Sequence, residues 1–277
     1  MRPSVRAFVE AAVTAFSPRG PVYEFGAYQV AGQEAISNLR ELFPRSEYVG
    51  CDLRPGRGVD RIEDLARLSI ADGTAGTVLC LDTLEHVFEC RRAVSEMIRV
   101  LRPGGLLIVS VPLDFHIHAH PDDYWRLTPS CLARLLAPLA ATVIGSQGPE
   151  SYPHAVFGLG MKAPAATRFV RAAQRFIDGF QHRLARQAAD VPRVSRWKNC
   201  LRGLTASKGE RRRQREHFTT RFAVGCGAKT VAHRPQGEAS TVVTDVTDES
   251  RAAVPHEPVK SVQSVDNNAP MRRLRHP

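Results

Sequence analysis

One stretch constrains the fold of this chain more than any other: Thr77 to Pro112, TVLCLDTLEHVFECRRAVSEMIRVLRPGGLLIVSVP. Thr77–Leu81 is a short apolar run with β-branched residues, the pattern of a strand buried on both faces. Val87, Val94, Met97, Ile98 and Leu101 then recur at spacings near three and four, which predicts a helix. Pro103-Gly104-Gly105 ends it, because proline cannot continue a helix and glycine accepts positive φ. Leu106–Val111 reads as a second buried strand. Two strands joined in this way pack in parallel through a right-handed crossover. Open α/β sheets bind ligands beyond the carboxyl ends of their strands, and the polar cluster Asp82, Glu85 and His86 follows the first strand there.

The remaining periodicity extends this unit in both directions. Val5, Phe8, Val9, Ala12, Val13 and Phe16 share one helical face, ended by Pro18 and Gly20. Pro21–Phe25 is predicted as the first strand. Ile36, Leu39, Leu42 and Phe43 predict a helix closed by Pro44. Glu47–Leu53 is a second strand, Val59–Ile62 a brief third, and Ala71-Asp72-Gly73 a turn. After the central unit come a helix near Pro129–Leu139 and strands at Thr142–Ser146 and Ala155–Lys162. About seven strands alternating with helices make an α/β chain with a mostly parallel sheet.

Charge divides the sequence. Residues 1–160 carry 15 Arg, no Lys and 18 Asp+Glu, whereas the rest holds 23 Lys+Arg and 10 Asp+Glu, so the net +10 belongs to the second part. A basic extension suggests an anionic partner, lipid or nucleic acid, or else only a solvated surface. Phe169, Val170, Ala173, Phe176, Ile177, Phe180 and Leu184 form an apolar stripe opposite Arg168, Arg171, Arg175, His182, Arg183 and Arg186. Such a helix either lies on an anionic membrane or packs on its own domain, and packing is the expectation. Arg193–Arg221 is strongly basic. From Gly237 onward there is no aromatic residue, and disorder is expected. The expected division is therefore a domain over 1–162, a basic helical extension over 163–222 and a disordered tail over 223–277. The six cysteines show no metal-ligand spacing and suggest a reducing compartment. With no apparent signal peptide and no run of ~20 apolar residues, a cytoplasmic protein is expected, peripheral membrane contact being the alternative.

LDTLEHV, followed by a helix and RVLRPGGLLIVSVP, resembles the post-strand-4 and strand-5 segment of class I S-adenosylmethionine (SAM) methyltransferases, in particular the small-molecule group called type 11. The resemblance covers Pro21 to Lys162. It implies a Rossmann-like seven-stranded sheet with helices on both faces, SAM as cofactor and methyl transfer as activity. Glu24 matches the family's acid at the end of strand 1. Gly26 is the one glycine kept from the usual E/D-x-G-x-G-x-G, since Ala27, Tyr28 and Gln29 follow it. Asp52, with Leu53, matches the acid that accepts both ribose hydroxyls, a task suited to two carboxylate oxygens. Asp64 and Leu65 match the position that meets the adenine amino group, and Asp82 would face the methionine end or the acceptor. Acids after four successive strands are the strongest part of the pattern.

On the acceptor side, His86 of LEHV matches the family's recurrent histidine. The run Phe115-His116-Ile117-His118-Ala119-His120 offers further bases, His116 foremost. Three histidines at spacing two would share one face if extended, a pattern also suited to metal; the resembled enzymes generally need none, and no metal is expected. DYWR-x-TP resembles part of a lid, with Tyr124 and Trp125 as flat walls for a sugar or aromatic ring. Arg126 would hold an acidic acceptor or pair with Asp122 or Asp123; His118 would also line the acceptor pocket. The expected function is methylation of oxygen on a small molecule or glycan. Two rivals remain: a nucleic-acid methyltransferase using the basic extension, and a non-catalytic binding protein whose altered glycine loop no longer holds SAM.

Overall fold

The structure is a computed structural model that describes residues 1–118, 122–165, 168–189 and 217–226, together with the backbone of 229–233 and 242–245. Its centre is the βαβ unit. Strand β4 (Ala75–Leu81) is buried along its whole length and pairs in parallel with β5 (Leu101–Pro112). Between them, helix α3 (Cys90–Val100) turns Val94 and Met97 inward. Pairing with β4 begins already at Leu101, and the Pro103-Gly104-Gly105 turn forms a bulge before Thr77 meets Leu106. Gly104 has a φ of 71°, which an L side chain would resist.

Around this unit the sheet grows by parallel pairing of β1 (Val22–Phe25) with β4 and with β2 (Tyr48–Asp52), and of β2 with β3 (Arg61–Ile62). On the other side β7 (Ala155–Met161) lies antiparallel between β5 and β6 (Ala141–Gln147). Over these seven strands the order is β6-β7-β5-β4-β1-β2-β3. The reversal of winding at β1 and β4 opens a crevice at their carboxyl ends.

Alternation along β4 and β5 sorts their side chains into two cores. Leu79, Leu81, Leu106 and Ile108 face one apolar cluster with α1 (Pro3–Phe16) and α5 (Arg168–Ala189). Val78, Cys80, Leu107 and Val109 face another with α3 and α4 (Pro129–Leu136). Helices therefore cover both faces, as the resemblance implied.

Two expectations are corrected. The helix foreseen over Ile36–Phe43 is broken into a single turn, α2 (Glu34–Ser37), and a 3-10 turn over Arg40–Leu42. Asn38 is the cause: it is extended, and its side-chain oxygen accepts from the Arg40 amide at 3.3 Å, while Arg6 takes the carbonyls of Ile36 and Asn38. Secondly, the sheet does not stop at residue 162. β8 (Thr220–Cys226) pairs antiparallel with β6, β9 (Lys229–His233) with β8, and β10 (Val242–Asp245) with β9, so strand runs into the stretch expected to be a disordered tail. As expected, α5 packs on its own domain. Phe176 and Phe180 are fully buried, meet Phe8 at 5.6 and 5.8 Å between ring centroids, and touch Phe222 of β8. Its apolar stripe faces the fold, not a membrane. The basic run from Arg193 to Glu216 and the end of the chain beyond Asp245 lie outside the described residues.

Candidate active site

A cavity of about 880 Å³ occupies the crevice at the carboxyl ends of β1, β2 and β4. Glu24, Gly26, Asp52, Leu53, Asp64, Leu65 and Asp82 line one part of it, and His86, His116, His118 and Tyr124 another. The residues expected to meet cofactor and acceptor thus share one space.

Each acid is placed by the backbone around it. Glu24 is the third residue of β1 and is buried; its Oε2 accepts from the Tyr48 hydroxyl of β2 at 2.7 Å. Burial pushes its carboxyl up to about 7, and the Tyr48 bond only partly counters this. Asp52 ends β2, where its two oxygens accept from the amides of Tyr28 at 3.2 Å and Arg54 at 3.1 Å. Two such bonds leave lone-pair sites for further donors, since a carboxylate has about four. Asp64 holds its own turn by accepting from the Ala66 amide at 2.9 Å. Asp82 sits in left-handed backbone after β4 and accepts from Ser110 of β5 at 2.9 Å and from Arg2 at 3.0 Å. Sequence reasoning missed Arg2, whose only signal was its place just ahead of an amphipathic helix.

At Gly26 the chain crosses from β1 toward the cavity with φ at 80°, and an added Cβ would stand 2.1 Å from Thr83 Oγ1. Tyr28, which stands where the resembled family has a glycine, lays its ring under the Arg54 guanidinium at 5.0 Å and against Gly56. The loop after β2 holds this ring at the cavity rim.

The histidine loop is anchored to the 3-10 turn Leu84–His86. The amides of Tyr124 and Trp125 donate to the Glu85 carbonyl at 2.7 and 3.2 Å, and His86 Nδ1 meets the Asp122 carbonyl. Two expected acceptor contacts are drawn away from the cavity. The Trp125 indole N–H donates to the carbonyls of Val87 and Phe88, and neither Trp125 nor Arg126 lines the space. Arg126 instead grips the buried Asp123 carboxylate with both nitrogens, at 2.5 and 2.7 Å, and donates to the carbonyls of Phe115 and His116. This guanidinium holds the Asp123 carboxyl far below the usual carboxylate range. Arg126 therefore shapes the loop. Glu85 is the other residue the sequence undervalued: its side chain is 1% exposed and, among the described residues, neither oxygen has a hydrogen-bond partner. Burial, with Asp82 nearby, raises its carboxyl. His120 lies outside the described residues.

Parallel strands reversing at β1 and β4, an antiparallel β7, and acids at the ends of β1, β2 and β4 around one cavity define a Rossmann-like α/β domain with a ligand crevice at its switch point. Residues 32–109 match the family model described as "Methyltransferase domain". A probable SAM-dependent methyltransferase of Mycolicibacterium smegmatis is 37% identical over 80 residues, 29% of this chain and 26% of that protein. Another, of Mycobacterium tuberculosis, is 31% identical over 80 residues, 29% of this chain and 25% of its own. The chain thus spans about a quarter of the length of these curated relatives. Among solved structures, the YcgJ protein of Bacillus subtilis aligns with a TM-score of 0.43 at 15% identity, over 57% of this chain and 99% of that one. A Burkholderia thailandensis 1,6-didemethyltoxoflavin-N1-methyltransferase, crystallised with S-adenosylhomocysteine, aligns at 0.42 and 19% over 56% and 78%.

Glu24 gives a test of the site's electrostatics. Burial pushes its folded carboxyl up to about 7, from the ordinary glutamate value of 4.5. The folded state thus holds the proton more tightly, and stability from this group is complete below about 4.5 and lost as pH rises through 7. The shift corresponds to at most ~3 kcal/mol. Glu24→Gln keeps an acceptor for Tyr48 and cannot ionise. Its melting temperature is expected to fall less than wild type's between pH 5 and pH 8, and to exceed wild type's at pH 8; equal pH slopes would remove the buried carboxyl from the explanation.

Proposed function

We propose that the chain transfers the methyl group of SAM to a hydroxyl oxygen of a small molecule or glycan. The observation that carries this reading is the shared cavity, lined both by the strand-end acids and by His116, His118 and Tyr124. At about 880 Å³ it lies within the range of small-molecule sites. The donor set fits the cofactor: Asp52 keeps acceptor capacity for the ribose diol, Asp64 and Leu65 would meet the adenine, and Gly26 lets backbone approach closely. Glu24 and Asp82 would face the methionine end. Bound there, SAM supplies a methyl carbon activated by its sulfonium. The protein aligns the acceptor hydroxyl, and alignment alone is worth effective molarities of ~10⁵ M or more.

The proton of that hydroxyl needs a base, worth roughly 10²–10⁴-fold. His86 and His116 are the candidates on the cavity wall. A carbonyl only accepts, so His86 Nδ1 carries the proton toward Asp122 and its lone pair sits on Nε2, the atom able to take a proton. His118 and Tyr124 line the acceptor end.

The test is methyl transfer from methyl-labelled SAM by the full-length chain to a panel of sugars, phenols and RNA. Label is expected on oxygen of a sugar or phenol. Label on RNA alone would favour a nucleic-acid acceptor met by the basic run after α5, which carries most of the net charge. Among the described residues no helix is long and apolar enough to cross a membrane.

A further inference from the structure

We propose that Glu85, His86 and His118 form a binding site for one divalent first-row cation of the zinc class. Their candidate ligand atoms lie within 4.8 Å of one another on the cavity wall. Two imidazoles and one carboxylate are the donor set of open, catalytic zinc sites and of related two-His-one-carboxylate centres.

Three independent observations point to a ligand here. First, the Glu85 carboxylate is 1% exposed, and among the described residues neither oxygen has a hydrogen-bond partner. A buried carboxylate left this way is costly, and a cation supplies what it lacks. Second, both histidines carry the supporting contacts that metal-bound imidazoles have. His86 Nδ1 donates to the Asp122 carbonyl; His118 Nδ1 faces the His116 carbonyl at 3.2 Å and Asp123 Oδ2 at 3.1 Å. All three partners only accept, so each Nδ1 is protonated and each lone pair is on Nε2. His86 Nε2 already stands 3.8 Å from Glu85 Oε1. Third, His118 and the residues from Tyr124 to Arg126 are tied to one another and to Glu85. Arg126 holds Asp123 with two bonds, Asp123 accepts from the His118 amide at 2.9 Å, and the Glu85 carbonyl receives Tyr124 and Trp125.

Donors at ~2.0–2.2 Å from a tetrahedral zinc stand about 3.4 Å apart, so closure needs side-chain shifts on the order of 1 Å. This departs from the sequence expectation of no metal, and it replaces the consecutive histidine run by a set assembled from the two sides of the cavity. The site does not depend on methyl transfer. Its use, which rests on that reading, is to offer an open coordination position to an acceptor oxygen and lower its pKa; His116 then stands as the base.

The test is metal binding by the full-length chain after chelator treatment, without SAM or acceptor, with Zn²⁺ by calorimetry and Co²⁺ by visible absorption. One equivalent is expected to bind at micromolar Kd or tighter. His118→Ala and Glu85→Gln are each expected to weaken it at least about tenfold, and His116→Ala to leave it within about twofold. Melting curves of the metal-free variants check folding, and His118→Ala probes the site without touching the buried carboxylate. A folded wild type that binds no Zn²⁺ overturns the proposal. So does binding indifferent to both substitutions, or binding that His116→Ala weakens as much as His118→Ala does.

Discussion

Gly26→Ala is expected to lower the melting temperature by roughly 5–15 °C and to abolish SAM binding measurable at micromolar concentrations. Two costs combine. An L residue at the φ of 80° found here loses about 1–2 kcal/mol. The new methyl would also stand 2.1 Å from Thr83 Oγ1. That hydroxyl is held by the Leu81 carbonyl at 2.9 Å, so the clash is relieved only by moving the β1 or β4 loop, at ~1–3 kcal/mol. Both loops border the cavity, and the Gly26 and Ala27 amides both donate to the Cys51 carbonyl. Movement at Gly26 therefore reaches Asp52. Thermal denaturation together with calorimetric titration of SAM checks both parts. Wild-type melting and wild-type affinity together would mean that Thr83 yields freely and that the close approach has no role.

Phe176→Ala is expected to cost about 3–5 kcal/mol of stability, read from the midpoint of denaturant unfolding. The ring is fully buried on α5 and meets Phe8 of α1, Phe16, Phe180 and Phe222 of β8. It joins three elements that the charge pattern had assigned to different parts of the chain. Removing it leaves a cavity at their junction. By the same reasoning, a fragment ending near residue 165 is expected to fold poorly, because the α1 face buried under α5 would be exposed. A loss under about 1 kcal/mol would return α5 to the status of an appendage.

These cases mark where the sequence was readable. β4, α3 and β5 were legible because local signals agree: a β-branched apolar run, a helical period, a Pro-Gly-Gly stop. The strand-end acids were legible because each follows such a run. The Ile36–Phe43 helix was misread because apolar spacing says nothing of Asn38, whose short amide competes for the backbone. Thr220 and Phe222 do alternate inward, as a strand should. Their partner β6 is distant in sequence, however, and the surrounding basic composition hid the period. Likewise, no spacing rule joins Glu85 to His118. They lie near each other in a region where Arg126, Asp123 and the Glu85 carbonyl tie described residues together.

The most direct measurement is calorimetric titration of SAM into the full-length chain and into Asp52→Ala, with the melting curve of each recorded. Wild type is expected to bind one equivalent at micromolar Kd. Asp52→Ala, which loses the acceptor proposed for the ribose diol along with the Tyr28 and Arg54 amide bonds, is expected to bind at least tenfold more weakly. A folded wild type that binds no SAM, or a folded Asp52→Ala that binds as tightly, would contradict the assignment of this cavity to the cofactor.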